Sequence, residues 1–321
     1  MASDQKEKMP EGQYKRRSAS QWAVAWRRFK RNKAGVVGLI IVIFVVFLGI
    51  FGSFFAPYPS RPNPGAYEPF YNGDVRVPPC EKYPFGTSAI GTDILSEIIH
   101  GTKYSLYVGV VVTAITMLIA IVVGSIAGFY GGWVDNVLMR FTEVFLVFPS
   151  LLFILVFVRI FTLTVGEPFW TLPLIGIQIP TGLTIVTLVL AIFNWASNAR
   201  MIRGEFLRIR ELEFIEAEKA LGASNTRIIF RHILPNILPS IIVVSSLTIA
   251  YAILVEAAVS FLGFGDPNTT TWGQILQENF ADMRTVWWAE VFPGLAILLT
   301  VFGFNLLGDG LSDALNPRLR D

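Results

Sequence analysis

The sequence has little of what soluble chemistry needs. Its 321 residues include one cysteine and two histidines. A single thiol, Cys80, excludes an internal disulfide. His100 and His232 fall in distant parts of the expected topology, so no two-histidine metal site is expected. Phosphate-loop, zinc-protease and nucleophile-elbow motifs are absent, so the chain itself is not expected to hydrolyse ATP or to be an enzyme. Charge is scarce too: only 16% of residues are Asp, Glu, Lys or Arg, and the formal net charge is +2. No nucleic-acid partner is expected.

What is present is apolar. Hydrophobic residues make up 53% of the chain. Residues 34–60, 104–134, 144–158, 168–199, 232–255 and 291–308 carry no Asp, Glu, Lys or Arg. A helix needs about 20 mostly apolar residues to cross a bilayer core. The runs do not alternate, which excludes barrel strands. They predict an all-α, polytopic membrane protein with six transmembrane helices, near 35–56, 104–129, 137–160, 181–199, 237–262 and 290–309. With six crossings both ends lie on one side. Lys and Arg on that side number ten in 1–34, one at Arg140, seven in 200–231 and two in 318–320, against six elsewhere. The positive-inside rule then makes both termini and the 200–236 loop cytoplasmic.

The flanks carry less information. Residues 1–34 read as a cytoplasmic tail, with Trp22, Trp26 and Phe29 at helical spacing among Lys and Arg. That pattern suits either a helix on the lipid surface or the flank of the first span. Residues 57–103 read as an outer loop, proline-rich at first. It is expected to end in a short surface helix capped by Thr92 or Asp93 and closed by Gly101. Residues 104–321 then form a five-helix core. Gly124 and Gly128, four apart, are expected to let helices approach closely within the bundle.

The loop between the fourth and fifth spans reads "EAEKALGASNTRIIFRHILPN" over 216–236. Its spacing predicts a helix over 205–221, a left-handed turn at Gly222, and a second helix capped by Ser224 or Asn225. Pro235 is expected to push Leu234 out of helical geometry and mark the entry to the fifth span. Ala217, Ala220 and Ala223 give a slim surface, and Arg227 and Arg231 a basic face. Such an element suits docking to a cytoplasmic partner better than a solvated connection does.

This stretch resembles the EAA motif of permease subunits of ABC importers: E-A-A, three residues, G, nine residues, I-x-L-P. Glu216, Ala217, Gly222, Leu234 and Pro235 match it, while Glu218 and His232 replace an alanine and an isoleucine. Further blocks resemble the C-type subunit of the dipeptide/oligopeptide subfamily. They are "WRRFKRNKAGVVGLII", "FGTSAIGTDILSEIIHGTKYSL", "GFYGGWVDNVLMRFTEVFLVFPSLL", "EAAVSFLGFGDPNTTTWGQIL" and "GDGLSDALNPRLR". Ser88 and Thr92 stand where that pattern has Asp and Arg, Glu143 and Asn316 where it has Asp.

The resemblance implies a prokaryotic cytoplasmic-membrane subunit that pairs with a homologous second permease. It implies two cytoplasmic ATPase subunits, which bind the ATP and Mg, an extracytoplasmic binding protein, and surrounding lipid. The chain itself would hold no cofactor. The cargo implied is peptide, with oligosaccharide or nickel as alternatives. Glu216, Ala217, Glu218, Ala220, Gly222, Ala223, Arg227, Leu234 and Pro235 would form the docking and coupling element.

Polar residues in the spans are candidates for the path or for bracing the bundle. Arg140 and Glu143, three apart, are expected to pair and brace. Asn194, Glu256 and Asn305 are the other candidates, with Glu256 expected to face protein or a water-filled cavity. A membrane enzyme built on Glu143, Asn194 and Glu256 lacks any nucleophile–base or metal-ligand spacing. A stand-alone channel or secondary transporter leaves the cytoplasmic hairpin unexplained.

Overall fold

The computed structural model describes residues 21–59, 74–165, 181–267 and 269–315. The expectations for the first twenty residues, most of the proline-rich outer stretch, and Asn316 with the arginines after it lie outside the described residues. Among the described residues ten helices of eight residues or more follow in order: α1 (Gln21–Phe29), α2 (Lys33–Phe55), α3 (Ile94–Tyr130), α4 (Gly132–Val147), α5 (Ser150–Val165), α6 (Thr181–Arg210), α7 (Glu213–Ala220), α8 (Asn225–Phe264), α9 (Trp272–Asn279) and α10 (Trp288–Leu315). Among the described residues the only pairing of extended backbone is an isolated bridge between Thr87 and Asp93.

Five helices, α2, α3, α6, α8 and α10, are long and apolar enough to cross a bilayer; α4 and α5 pass only together, bent by 85°. The expected straight span over 137–160 is therefore two helices. Pro149 explains the break. Its ring disfavours helical geometry at the residue before it, and Phe148 is extended at φ −81°, ψ 140°.

Packing decides whether the bent pair is one crossing. A Cβ on Gly124 would lie 2.6 Å from the Ala199 carbonyl oxygen, and one on Gly128 2.6 Å from Phe206 Cβ. Higher up, Thr116 Oγ1 meets the Ala191 carbonyl at 3.4 Å. The numbers rise together, so α3 and α6 run parallel, and the chain between them must return across the membrane once. The contacts trace that return: Asp135 meets Arg203, Phe145 packs on Trp195, and Phe157 on Phe193. Farther along, Ile154 and Val158 join the cluster of Leu183 and Val186. Six crossings result.

The small residues that allow this are where the sequence placed them, and Gly124 and Gly128 serve packing inside the bundle. Glycines also set α2 against α10. A Cβ on Gly38 would sit 2.5 Å from Leu307 N, and one on Gly310 2.5 Å from Gly35 Cα. The side chain of Asn32 donates to Asp313 at 2.9 Å, so the start of α2 and the end of α10 share one face of the bundle. α1 is a separate helix, ending at Phe29, and Phe29 is buried while Trp26 is exposed.

At the opposite face, residues 74–93 and α9 form a cap. Asp93 caps α3, accepting from Ser96 N at 2.8 Å and Ser96 Oγ at 2.6 Å. Trp288 donates to the Thr87 carbonyl at 2.9 Å, Trp272 to the Ile98 carbonyl at 3.1 Å, and Arg76 pairs with Asp282 at 2.9 Å. Lys82 and the Tyr83 hydroxyl bond the Asp74 carboxylate and hold it below the usual aspartate range. The expected short surface helix does not exist as a separate element, because α3 runs unbroken for 37 residues. Gly101 lies inside it, and a Cβ there would be 3.2 Å from the Thr270 carbonyl, so this glycine admits a neighbouring backbone instead of ending a helix.

Candidate functional site

The hairpin between α6 and α8 begins with a correction. The helix expected over 205–221 is broken after Arg210, and Leu212 is extended at φ −80°, ψ 142°. The break lays α7 back against the bundle, where Ile215 is fully buried. Ile228 and Ile233 from α8 are buried in the same cluster, with Ile202, Phe206 and Ile209 of α6. Each such side chain withdrawn from water stabilises the hairpin by about 1.5–3 kcal/mol. These three isoleucines fix the hairpin, and the sequence reading missed them. Apolarity alone did not single them out, since their neighbours Phe214 and Phe230 are apolar too and stay exposed.

The turn itself is as expected. Gly222 has φ 81°. Its N–H donates to the Lys219 carbonyl at 3.0 Å, and the Ala223 N–H to the Glu218 carbonyl at 3.0 Å. This pair of bonds satisfies the last carbonyls of α7 in a Schellman arrangement. Ser224 then caps α8 by accepting from Arg227 N at 3.4 Å.

α8 does not start afresh at Pro235. It runs continuously from Asn225, through a π-helical segment at Ile228–Ile233. Leu234 keeps helical geometry at φ −55°, ψ −44°, which corrects the expectation of a bend there. The wider π turn gives the proline ring room it lacks in a regular helix. The Asn236 side chain reaches back to the His232 carbonyl at 2.6 Å, adding a bond across this turn.

The hairpin's outward face carries Glu216, Ala217, Lys219, Ala220, Gly222 and Arg227, all exposed. Leu221, at 83% exposure, projects from the turn. Pro235 is exposed, while Leu234 and Ala223 pack partly against the buried cluster. Ala223 therefore belongs to the anchoring side and not to the slim outer surface. Glu218 and His232 lie together across the hairpin, Oε1 to Nε2 at 3.6 Å.

The intramembrane candidates are not gathered into one centre. Arg140 and Glu143 do pair, at 3.4 Å, but at 85% and 53% exposure they lie on the outer face of α4, and among the described residues the pair ties α4 to no other helix. Glu256 is fully buried among protein atoms and accepts from Ser260 Oγ at 2.7 Å. Asn194 donates to the Leu190 carbonyl of its own helix at 2.7 Å. Asn305 is half-exposed on α10.

The tie that does hold α4 is one that sequence spacing could not reveal. Arg203 of α6 forks onto Asp135, Nε to Oδ1 at 2.7 Å and Nη2 to Oδ2 at 2.5 Å. About two helical turns farther along α6, Arg210 Nη1 donates to the carbonyls of Gly128 and Phe129 at 3.2 and 2.9 Å, closing the end of α3.

Comparison with known proteins agrees with this architecture. The family model described as "Binding-protein-dependent transport system inner membrane component" matches residues 120–321. A second, "N-terminal TM domain of oligopeptide transport permease C", matches residues 20–79. The chain is similar to the glutathione transport system permease protein GsiD of Pectobacterium atrosepticum, 35% identical over 301 residues, covering 93% of this chain and 92% of the relative. It is similar to the oligopeptide transport system permease protein OppC of Bacillus subtilis, 34% identical over 306 residues, covering 95% and 92%. The dipeptide transport system permease protein DppC of the same organism is 34% identical over 308 residues, covering 95% of this chain and 88% of the relative. The polytopic helical bundle, the cross-tied hairpin and these matches have one conclusion: the chain belongs to the binding-protein-dependent transport system inner membrane components, ABC permease subunits whose work is transport and not catalysis.

Proposed function

We propose that this chain is one half of the heterodimeric pore of an ATP-driven peptide importer. The observation that carries the reading is the anchored hairpin of α7 and the start of α8. It is held by three buried isoleucines, turned by Gly222, and presents Glu216, Ala217, Ala220 and Leu221 outward. A rigid element of this kind can receive force, because packed interfaces shift in discrete steps and do not deform continuously. The hairpin lies on the same bundle face as the start of α2 and the end of α10, which carries the excess of Lys and Arg. That face is the cytoplasmic one by the positive-inside rule.

The partners are a homologous second permease, two cytoplasmic ATPases that bind ATP and Mg, and an extracytoplasmic binding protein that presents cargo to the opposite face. Glu216, Ala217, Glu218, Ala220, Gly222 and Arg227 form the docking surface, and Leu234 and Pro235 join it to α8. Peptide is the cargo because the similar proteins are named for oligopeptide, dipeptide and glutathione transport.

Gentle solubilisation and purification through this chain tests the proposal. A second permease and ATPase subunits are expected to co-purify, and ATP-dependent peptide uptake to appear when the complex and binding protein are placed in vesicles. A lone chain that conducts solute without ATPases overturns it.

A further inference from the structure

The turn joining α3 to α4 is two consecutive glycines, the first packed against Arg210 and the second open. Gly131 and Gly132 both have positive φ, 67° and 55°, and nothing lies within 4 Å of where a Cβ on Gly132 would be. α4 itself is weakly held, with only Asp135 and Thr142 buried along its 16 residues. At its far end it breaks by 85° into α5. An element with a glycine swivel at one end and a proline break at the other keeps its orientation only through side-chain ties.

The strongest tie is the fork of Arg203 on Asp135, at 2.7 and 2.5 Å, with the two side chains 34% and 12% exposed. A two-pronged guanidinium–carboxylate contact fixes direction as well as distance, which a single ammonium contact does not. Seven residues on, Arg210 clasps the last carbonyls of α3. The two arginines occupy the terminal turns of α6, and only Glu211 and Leu212 separate α6 from α7.

We infer that Asp135 and Arg203 are positioning residues for transport: they carry the displacement of the hairpin from α6 into α4, so that α4 turns with α6 about the Phe148–Pro149 break. This rests on the importer reading. α6 is the stem of the hairpin, α3 is fastened to it by close glycine packing, and α4 is fastened to it by the ion pair. Breaking the pair frees α4 to lag behind at the Gly131–Gly132 swivel. Docking of the ATPases does not pass through either residue and stays intact.

The test uses the assembled complex in vesicles with Asp135→Asn, Arg203→Gln and Arg203→Lys. The first two are expected to keep subunit stoichiometry and ATP hydrolysis, and to lower peptide uptake per ATP by about 3- to 30-fold. Arg203→Lys keeps the charge and loses less. Spin labels on Trp133→Cys and Gly204→Cys, in a Cys80→Ser chain with cysteine-free partners, read the geometry directly. Residue 133 is 77% exposed and 204 is open. With the pair intact their separation is expected to stay the same when ATP binds, and in Asp135→Asn to shift or broaden. Uptake per ATP at the wild-type level in both Asp135→Asn and Arg203→Gln overturns the inference. So does a label separation that changes on ATP binding with the pair intact. Wild-type uptake that needs no ATPase overturns the importer reading instead, and is seen before any variant is made.

Discussion

Glu218 and His232 are the two positions at which the hairpin departs from the EAA pattern, and they meet in space at 3.6 Å. Ser88 and Thr92, which replace the Asp and Arg of the outer block, do the same, hydrogen-bonded at 2.6 Å inside the cap. In both places the two departing residues face each other; the Ser88–Thr92 pair is hydrogen-bonded, whereas His232 Nε2 is buried and stands just beyond hydrogen-bond distance of Glu218. A partly exposed polar contact of this kind contributes about 0.2–1 kcal/mol, so the coupling is small but measurable as a cycle. Glu218→Ala alone leaves His232 facing an apolar cluster without its carboxylate. His232→Ile alone leaves Glu218 without its partner. The double variant, which restores the pattern, is expected to unfold and transport more nearly as wild type than either single change. Thermal unfolding of the purified complex and uptake would measure this, and strict additivity of the single effects would sink it. The replacements themselves were legible in the sequence, but their contact was not. The same holds for charges in the spans. Spacing of three singles out Arg140 and Glu143, whereas Asp135 and Arg203 are 68 residues apart and meet only because α4 folds back along α6.

Among the elements, the turn of the hairpin was the most legible, because it depends on local chemistry alone. Gly222 shows this cleanly. Nothing lies within 4 Å of where a Cβ would be, so a side chain there meets no obstacle and only the left-handed φ of 81° resists it. That conformation costs an ordinary L-residue about 1–2 kcal/mol, and more with a β-branch. Gly222→Val is expected to insert in the membrane normally and to lose most uptake. Gly222→Asn, which tolerates the left-handed region, is expected to keep it. Equal uptake by the Val and Asn variants, measured in vesicles at matched protein amounts, would remove the turn from the mechanism. Elements that depend on distant packing were read less well. Gly101 looked like a helix end because the signal is glycine after an amphipathic turn, but the Thr270 backbone needs that space. Pro235 looked like a helix boundary, but a π segment absorbs the ring. Pro149 stood inside an apolar run long enough to hide it, and there the break is real.

For the molecule as a whole, helix direction decides the topology. α3 and α6 lie parallel, so the α4–α5 pair must carry the chain back across the bilayer, and six crossings bring the start of α2 and the end of α10 to one face. Composition alone reached the same count for a different reason, by treating 137–160 as one straight helix. The agreement follows because the bent pair covers the same stretch of apolar sequence. The face on which the hairpin lies can be tested with the chain's own thiol. Cys80 is exposed in the cap, on the face opposite the hairpin. In spheroplasts a membrane-impermeant maleimide is expected to label Cys80 without opening the membrane. In a Cys80→Ser background, Thr226→Cys at the exposed start of α8 is expected to label only after the membrane is broken. The reverse pattern would place the basic face outside and leave the hairpin with no ATPase to meet. Labelling of both sites in intact spheroplasts would mean an odd number of crossings between α3 and α8, which the packed helices do not allow. In an even count the hairpin, the swivel at Gly131–Gly132 and the Asp135–Arg203 fork all sit at one membrane face, and the cap of residues 74–93 and α9 sits at the other.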